Sequence, residues 1–78
     1  SKDMTVLDKI IFVADKIEDG RKNDNYNIGF ERELAKTNLD ATVIMIIDNN
    51  IIHLLEKGKL VHPDSIMTTN FLKMKLYK

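Results

Sequence analysis

The chain has no cysteine and no tryptophan, one proline (Pro63) and three glycines (Gly20, Gly29 and Gly58). Without cysteine there is no disulfide framework, no thiolate metal site and no cysteine nucleophile. Neither sign of charge is in excess, since 12 Lys and Arg balance 12 Asp and Glu. That balance gives no electrostatic case for nucleic acid or an anionic membrane as partner. No apolar run reaches the ~18 residues a membrane-spanning helix needs. The opening Ser1-Lys2-Asp3 lacks the basic-then-apolar pattern of a signal peptide. The expectation is a cytoplasmic chain of 78 residues forming one domain at most.

What is present is helical periodicity. The first segment runs from about Thr5 to Glu18. Thr5 suits an N-cap, and Asp8 three residues later makes a near capping box. At roughly 100° per residue, Val6, Leu7, Ile10, Ile11, Val13, Ala14 and Ile17 share one broad face, with Lys9 and Lys16 opposite. Gly20 supplies the stop. Arg21 to Asn27 is polar and turn-forming. A short helix follows, from Ile28 or Gly29 to Lys36. The third helix runs from about Leu39 to Lys57, capped by Thr37 or Asn38 and ended by Gly58. Val43, Ile44, Ile47, Ile51, Leu54 and Leu55 form its apolar face. Met45, Ile46 and Ile52 widen that face nearly all the way round, the pattern of a helix buried on most sides. The last helix starts at Pro63, a residue favoured at the first helical position. It reaches about Lys75, with Ile66, Met67, Asn70, Phe71 and Met74 on one face. Lys73, Lys75 and Lys78 read as a solvated basic end. The fold expected is all-α, with short connections.

Few residues have the chemistry of a site. Asp15, beside Ile11 and Phe12, is either a metal ligand or a solvated acid on a helix flank. Asp8 lies two turns away, roughly 10 Å along the axis, too far to share one ion. His53 and His62 show no metal-binding spacing. His62, before Pro63, reads as an N-cap or turn residue. Arg21 has the planar fork that matches phosphate oxygens, and equally the charge that caps a helix end. Asn50 falls between Val43, Ile46 and Leu54 on the wheel. It should be at least half buried, fixing a helix contact.

The stretch Leu7-Asp8-Lys9-Ile10-Ile11-Phe12-Val13-Ala14-Asp15-Lys16-Ile17-Glu18-Asp19-Gly20-Arg21 resembles the closing part of the YqeK-type HD-domain hydrolases. There the text usually reads L-D/E-K-I-I-Y-L-A-D-x-I-E-P-G-R. The resemblance continues through Arg32-Glu33-Leu34-Ala35, Asn38-Leu39-Asp40, the block from Leu54 to Ile66, and Asn70-Phe71-Leu72. It implies that residues 1–78 are the C-terminal helices of a single HD-domain helical bundle. The upstream metal-binding helices are absent, so the domain is incomplete. The activity implied is that of a metal-dependent phosphohydrolase splitting diadenosine tetraphosphate, a dinucleoside polyphosphate, into two ADP.

Asp15 matches the family's final aspartate ligand. The cofactor implied is a divalent metal, iron or manganese, which lowers the pKa of the attacking water and offsets phosphate charge. Arg21 matches the arginine of the closing turn, in the place of a substrate contact. Asp19 stands where the family has proline, which puts a negative charge beside Arg21. The family's histidines and its His-Asp pair precede the aligned segment, and His53 and His62 follow Asp15, so neither replaces them by chain order. On its own the chain is expected to be inactive, pairing with the missing upstream part or forming a homodimer. Phe12 is expected to face that missing half or the substrate. The competing reading is a standalone helical interaction module with an exposed apolar face and no catalysis.

Overall fold

The computed structural model describes residues 3–20 and 28–77. The Thr5 N–H donates to Asp8 Oδ2 at 3.0 Å, and the Asp8 N–H donates to Thr5 Oγ1 at 3.1 Å. This reciprocal capping box opens α1, Val6–Gly20. The Thr5 N–H, and after it the Thr5 hydroxyl, hold the Asp8 carboxyl below its ordinary range. The second helix, α2, spans Ile28–Thr37. Asn38 Oδ1 then accepts the Ala41 N–H at 3.0 Å and caps α3, Leu39–Glu56.

Gly58, at φ +66°, closes α3. The Lys59 N–H donates to the Leu54 carbonyl at 2.9 Å and the Gly58 N–H to that of Leu55 at 3.1 Å. That pair of bonds is a Schellman motif, and it needs a left-handed residue where glycine stands. The last helix, α4, spans Pro63–Leu76 with proline in its first turn. His62 caps it, its Nδ1 accepting the Asp64 N–H at 3.0 Å. No strand occurs among the described residues, and the all-α expectation holds.

The third helix is the axis of the molecule. α1, α2 and α4 all pack on it, and α2 also touches α1. The buried core is Val13 of α1, Val43, Ile44, Ile46 and Ile47 of α3, and Leu72 of α4. Each such side chain contributes about 1.5–3 kcal/mol by leaving water. The N-terminal half of α3 therefore carries most of the cohesion. Its C-terminal half is more open, with Ile52 and Leu55 exposed.

Three wheel readings are corrected by the packing. On α1, Val6, Leu7, Ile10 and Ile11 point outward, while Lys9 is 6% exposed. Lys9 turns inward because its ammonium meets Asp40 Oδ1 of α3 at 2.6 Å. The face that docks is thus the narrower one holding Lys9, Val13 and Ile17, and Phe12 packs at its edge against the core. On α4, Ile66, Met67 and Met74 are exposed, and Thr68, Thr69 and Leu72 are buried. The threonines tolerate burial because their hydroxyls are satisfied. Thr68 Oγ1 donates to the Asp64 carbonyl at 2.8 Å, and Thr69 Oγ1 donates to Asp48 Oδ1 at 2.7 Å. Lys73 is not simply solvated, since its Nζ pairs with Asp48 Oδ2 at 2.8 Å. Asp48 of α3 thereby holds two successive turns of α4.

Glu31 of α2 is 1% exposed, and neither carboxylate oxygen has a hydrogen-bond partner among the described residues. Burial raises its pKa above the ordinary glutamate value, because a low-dielectric surrounding disfavours the charged form.

Candidate functional site

Asp15 sits on the solvent side of α1, exposed. Its neighbour one turn back is Phe12, at the i,i+3 spacing that brings Cβ atoms within roughly 5–6 Å. Next to it in sequence is Lys16, which is half-buried. The flank of α1 holding Phe12 and Lys16 faces a cleft. That cleft exists because α1 and α4 both pack on α3 yet make no close backbone approach to each other. Its volume is about 390 Å³, within the range of small-molecule sites.

The floor of the cleft is apolar, with Met4, Phe12, Ile46 and Ile47. Its polar lining is Lys16, Asn50, His62, Asp64, Ser65 and Thr68. The Lys16 ammonium lies 5.7 Å from the centroid of the Phe12 ring, within cation–π reach. It has no ion-pair partner among the described residues. His62 accepts a hydrogen bond at Nδ1, so the neutral imidazole holds its proton on Nε2, where it can donate. The Asn50 side chain makes no hydrogen bond to a described residue. Asn50 is half-buried as expected, but it lines the cleft instead of fixing a helix contact.

A divalent ion needs several hard or borderline donors converging on one point. Among the described residues, no three of His, Cys, Asp and Glu converge. Asp15 alone is one carboxylate on a helix surface, so these residues do not by themselves fit a metal centre. Asp8 is engaged with Thr5 in the capping box. His53 lies half-buried on α3, away from Asp15 in the chain and outside the cleft lining. Arg21 lies outside the described residues.

The sequence offers Asp15 as a candidate and His62 as an N-cap or turn residue, of which the structure shows the cap; it gives no sign of the cleft. The wheel puts Lys16 on the outward side of α1, because it shows periodicity and not partners. Ser65 and Thr68 bear no local signal, since they come to line one cleft with Phe12 only when α1 and α4 straddle α3.

No family profile matches the chain, and no solved structure matches it. Two curated relatives do. One is the symmetrical bis(5'-nucleosyl)-tetraphosphatase of Bacillus subtilis, 39% identical over 69 residues, covering 88% of this chain and 36% of the relative. The other is the symmetrical bis(5'-nucleosyl)-tetraphosphatase of Halalkalibacterium halodurans, with the same identity and the same coverage. The chain spans about a third of the length of these relatives. An aligned part of 69 residues reaches into all four helices, so the likeness is not confined to one motif. These two matches support the reading of the chain as a fragment of the family of symmetrical bis(5'-nucleosyl)-tetraphosphatases, which are hydrolases.

Proposed function

We propose that this segment is part of a metal-dependent phosphohydrolase that adds water to diadenosine tetraphosphate and releases two ADP. The observation that supports it most is the 39% identity to two symmetrical tetraphosphatases over 88% of the chain. In this reading Asp15 is one ligand of a divalent ion, iron or manganese. The remaining ligands come from residues beyond these 78, in the part of the relatives' length that this chain does not span. Arg21 contacts substrate phosphate. The exposure of Asp15 on α1 fits a ligand that completes its site with groups from elsewhere. The segment alone has no turnover.

The experiment is product analysis with the intact protein that carries this segment. Diadenosine tetraphosphate is supplied with manganese or iron, and the nucleotides are separated. ADP as the sole nucleotide product is the expected result. Equal amounts of ATP and AMP would contradict symmetrical cleavage, and unconsumed substrate would contradict the activity.

A second reading is favoured by one observation. Val6, Leu7, Ile10 and Ile11 are each more than half exposed along one side of α1. Contiguous apolar surface of this kind marks a docking face. A non-catalytic module would use that face to bind a partner or a second copy. The hydrolase reading covers the same face with the remainder of the domain. Proteolysis of the intact protein separates the two, because cleavage within α1 only after global unfolding supports the covered face.

A further inference from the structure

The cleft between α1, α3 and α4 is assigned to no ligand by the family likeness. We infer that it binds one nucleoside-phosphate half of the substrate, an inference that rests on the hydrolase reading above. The argument begins with composition. An apolar floor with Phe12 offers a face for a base, and a polar lining with Asn50 offers an amide that donates and accepts at a base edge. Stacking on an aromatic ring tolerates any base, and hydrogen bonding fixes its orientation.

Charge then sets the direction of the ligand. Lys16 is the cation of the lining, and its ammonium is held over the Phe12 ring with no carboxylate partner among the described residues. Asp64 places negative charge at the α4 end. The start of α4 is also a poor phosphate receptor, because the Asp64 N–H is taken by His62 Nδ1 and the Ser65 N–H by the His62 carbonyl. Pro63 has no N–H to offer. The phosphate therefore lies on the α1 side, at Lys16, and His62 Nε2–H is a second donor in the lining. Phe12 stands one turn before Asp15, at the i,i+3 spacing that puts the two on neighbouring positions of the α1 surface, so a ligand along Phe12 leaves the cleft toward the aspartate's side of the helix. Phe12, Lys16 and Asn50 would thus position the substrate next to the carboxylate. Phe12 is expected to face the missing half or the substrate; the ring packs at the core edge and also lines the cleft, which leaves it available to a ligand there.

The test uses the intact protein with two variants, Lys16→Met and Asn50→Leu, each read by two measurements. The first is steady-state hydrolysis of diadenosine tetraphosphate. The second is binding of ADP by calorimetry in the presence of chelator, which needs no metal and no turnover. Groups that bind ground state and transition state alike raise KM and leave kcat. The expected result is a rise of about tenfold in KM and in the ADP Kd for each variant, the size of one lost charge-assisted or amide contact. The kcat stays within about twofold. Unchanged KM and unchanged ADP Kd in both variants, with wild-type hydrolysis intact, would overturn the cleft assignment and leave the hydrolase reading standing. ADP binding that the variants weaken, in a protein without hydrolysis, would overturn the hydrolase reading and keep the cleft. Should Asn50→Leu fail to fold, Lys16→Met decides alone, because Lys16 contributes no ion pair to the described fold.

Discussion

At the scale of residues, two buried ionisable groups govern how this segment responds to change. Lys9 and Asp40 meet at 2.6 Å with side chains 8% and 27% exposed. Removing one partner of such a pair leaves a charge in a poorly solvated place. Lys9→Ala should therefore destabilise by about 2–3 kcal/mol, on the lower side of buried pairs because Asp40 keeps some water. Replacing both residues by apolar ones, Lys9→Met with Asp40→Leu, should come close to neutral. Urea unfolding of the single and double variants measures both.

Glu31 acts in the opposite sense. Its folded-state pKa is raised by burial above the unfolded value near 4.5. The folded state therefore binds more protons than the unfolded state between those two values, and stability falls as pH rises through that window. Below the unfolded value the contribution is fully present. Glu31→Gln should be more stable than the parent at pH 7, and the two should converge near pH 4. The slope removed is at most about 1.4 kcal/mol per pH unit, the limit for one proton. Denaturant midpoints across pH 4–7 give the comparison, and parallel curves for the two proteins would contradict it.

At the scale of elements, boundaries are local events and were legible in the sequence. Thr5 with Asp8, Gly58 and Pro63 bound the helices the sequence assigns to them; of Thr37 and Asn38 it is Asn38 that caps α3, and His62 is the N-cap of α4. Gly58 is the most sensitive of them. It sits at φ +66° with nothing within 4 Å of an added Cβ. Gly58→Ala should thus cost only the backbone penalty of the left-handed region, about 1–2 kcal/mol, read as a drop in thermal midpoint. Orientation was less legible than extent. α1 and α4 each offer more than one apolar stripe, and nothing on a wheel says which stripe meets α3. The deciding contacts are non-local: Lys9 with Asp40 turns α1, and Asp48 with Thr69 and Lys73 turns α4. A charged residue on a docking face is what a hydropathy pattern discounts. Of the candidate site, the sequence offers Asp15 through its surrounding block, but a cleft formed by three helices has no signature in any one of them.

At the scale of the whole molecule, the outward stripe of α1 and the length of the relatives tell one story. A helix with Val6, Leu7, Ile10 and Ile11 facing water loses roughly 25 cal/mol for each Å² of apolar surface left uncovered. The relatives are nearly three times as long as the stretch they share with this chain. The rest of such a protein would cover that stripe and bring its own ligands toward Asp15 along the same helix. In the proposed reading the fold would support one side of a site, with α3 as its axis, α1 presenting the carboxylate and the cleft beside it receiving substrate.

The central claim is that Asp15 is a metal ligand of a symmetrical tetraphosphatase. The most direct measurement compares the intact protein with its Asp15→Ala variant, taking bound metal by elemental analysis and ADP release from diadenosine tetraphosphate on the same samples. The account predicts that the variant folds, loses much of its metal and slows by more than roughly 100-fold, beyond the loss typical of groups that only support a ligand. Full metal content with full turnover in Asp15→Ala would contradict it.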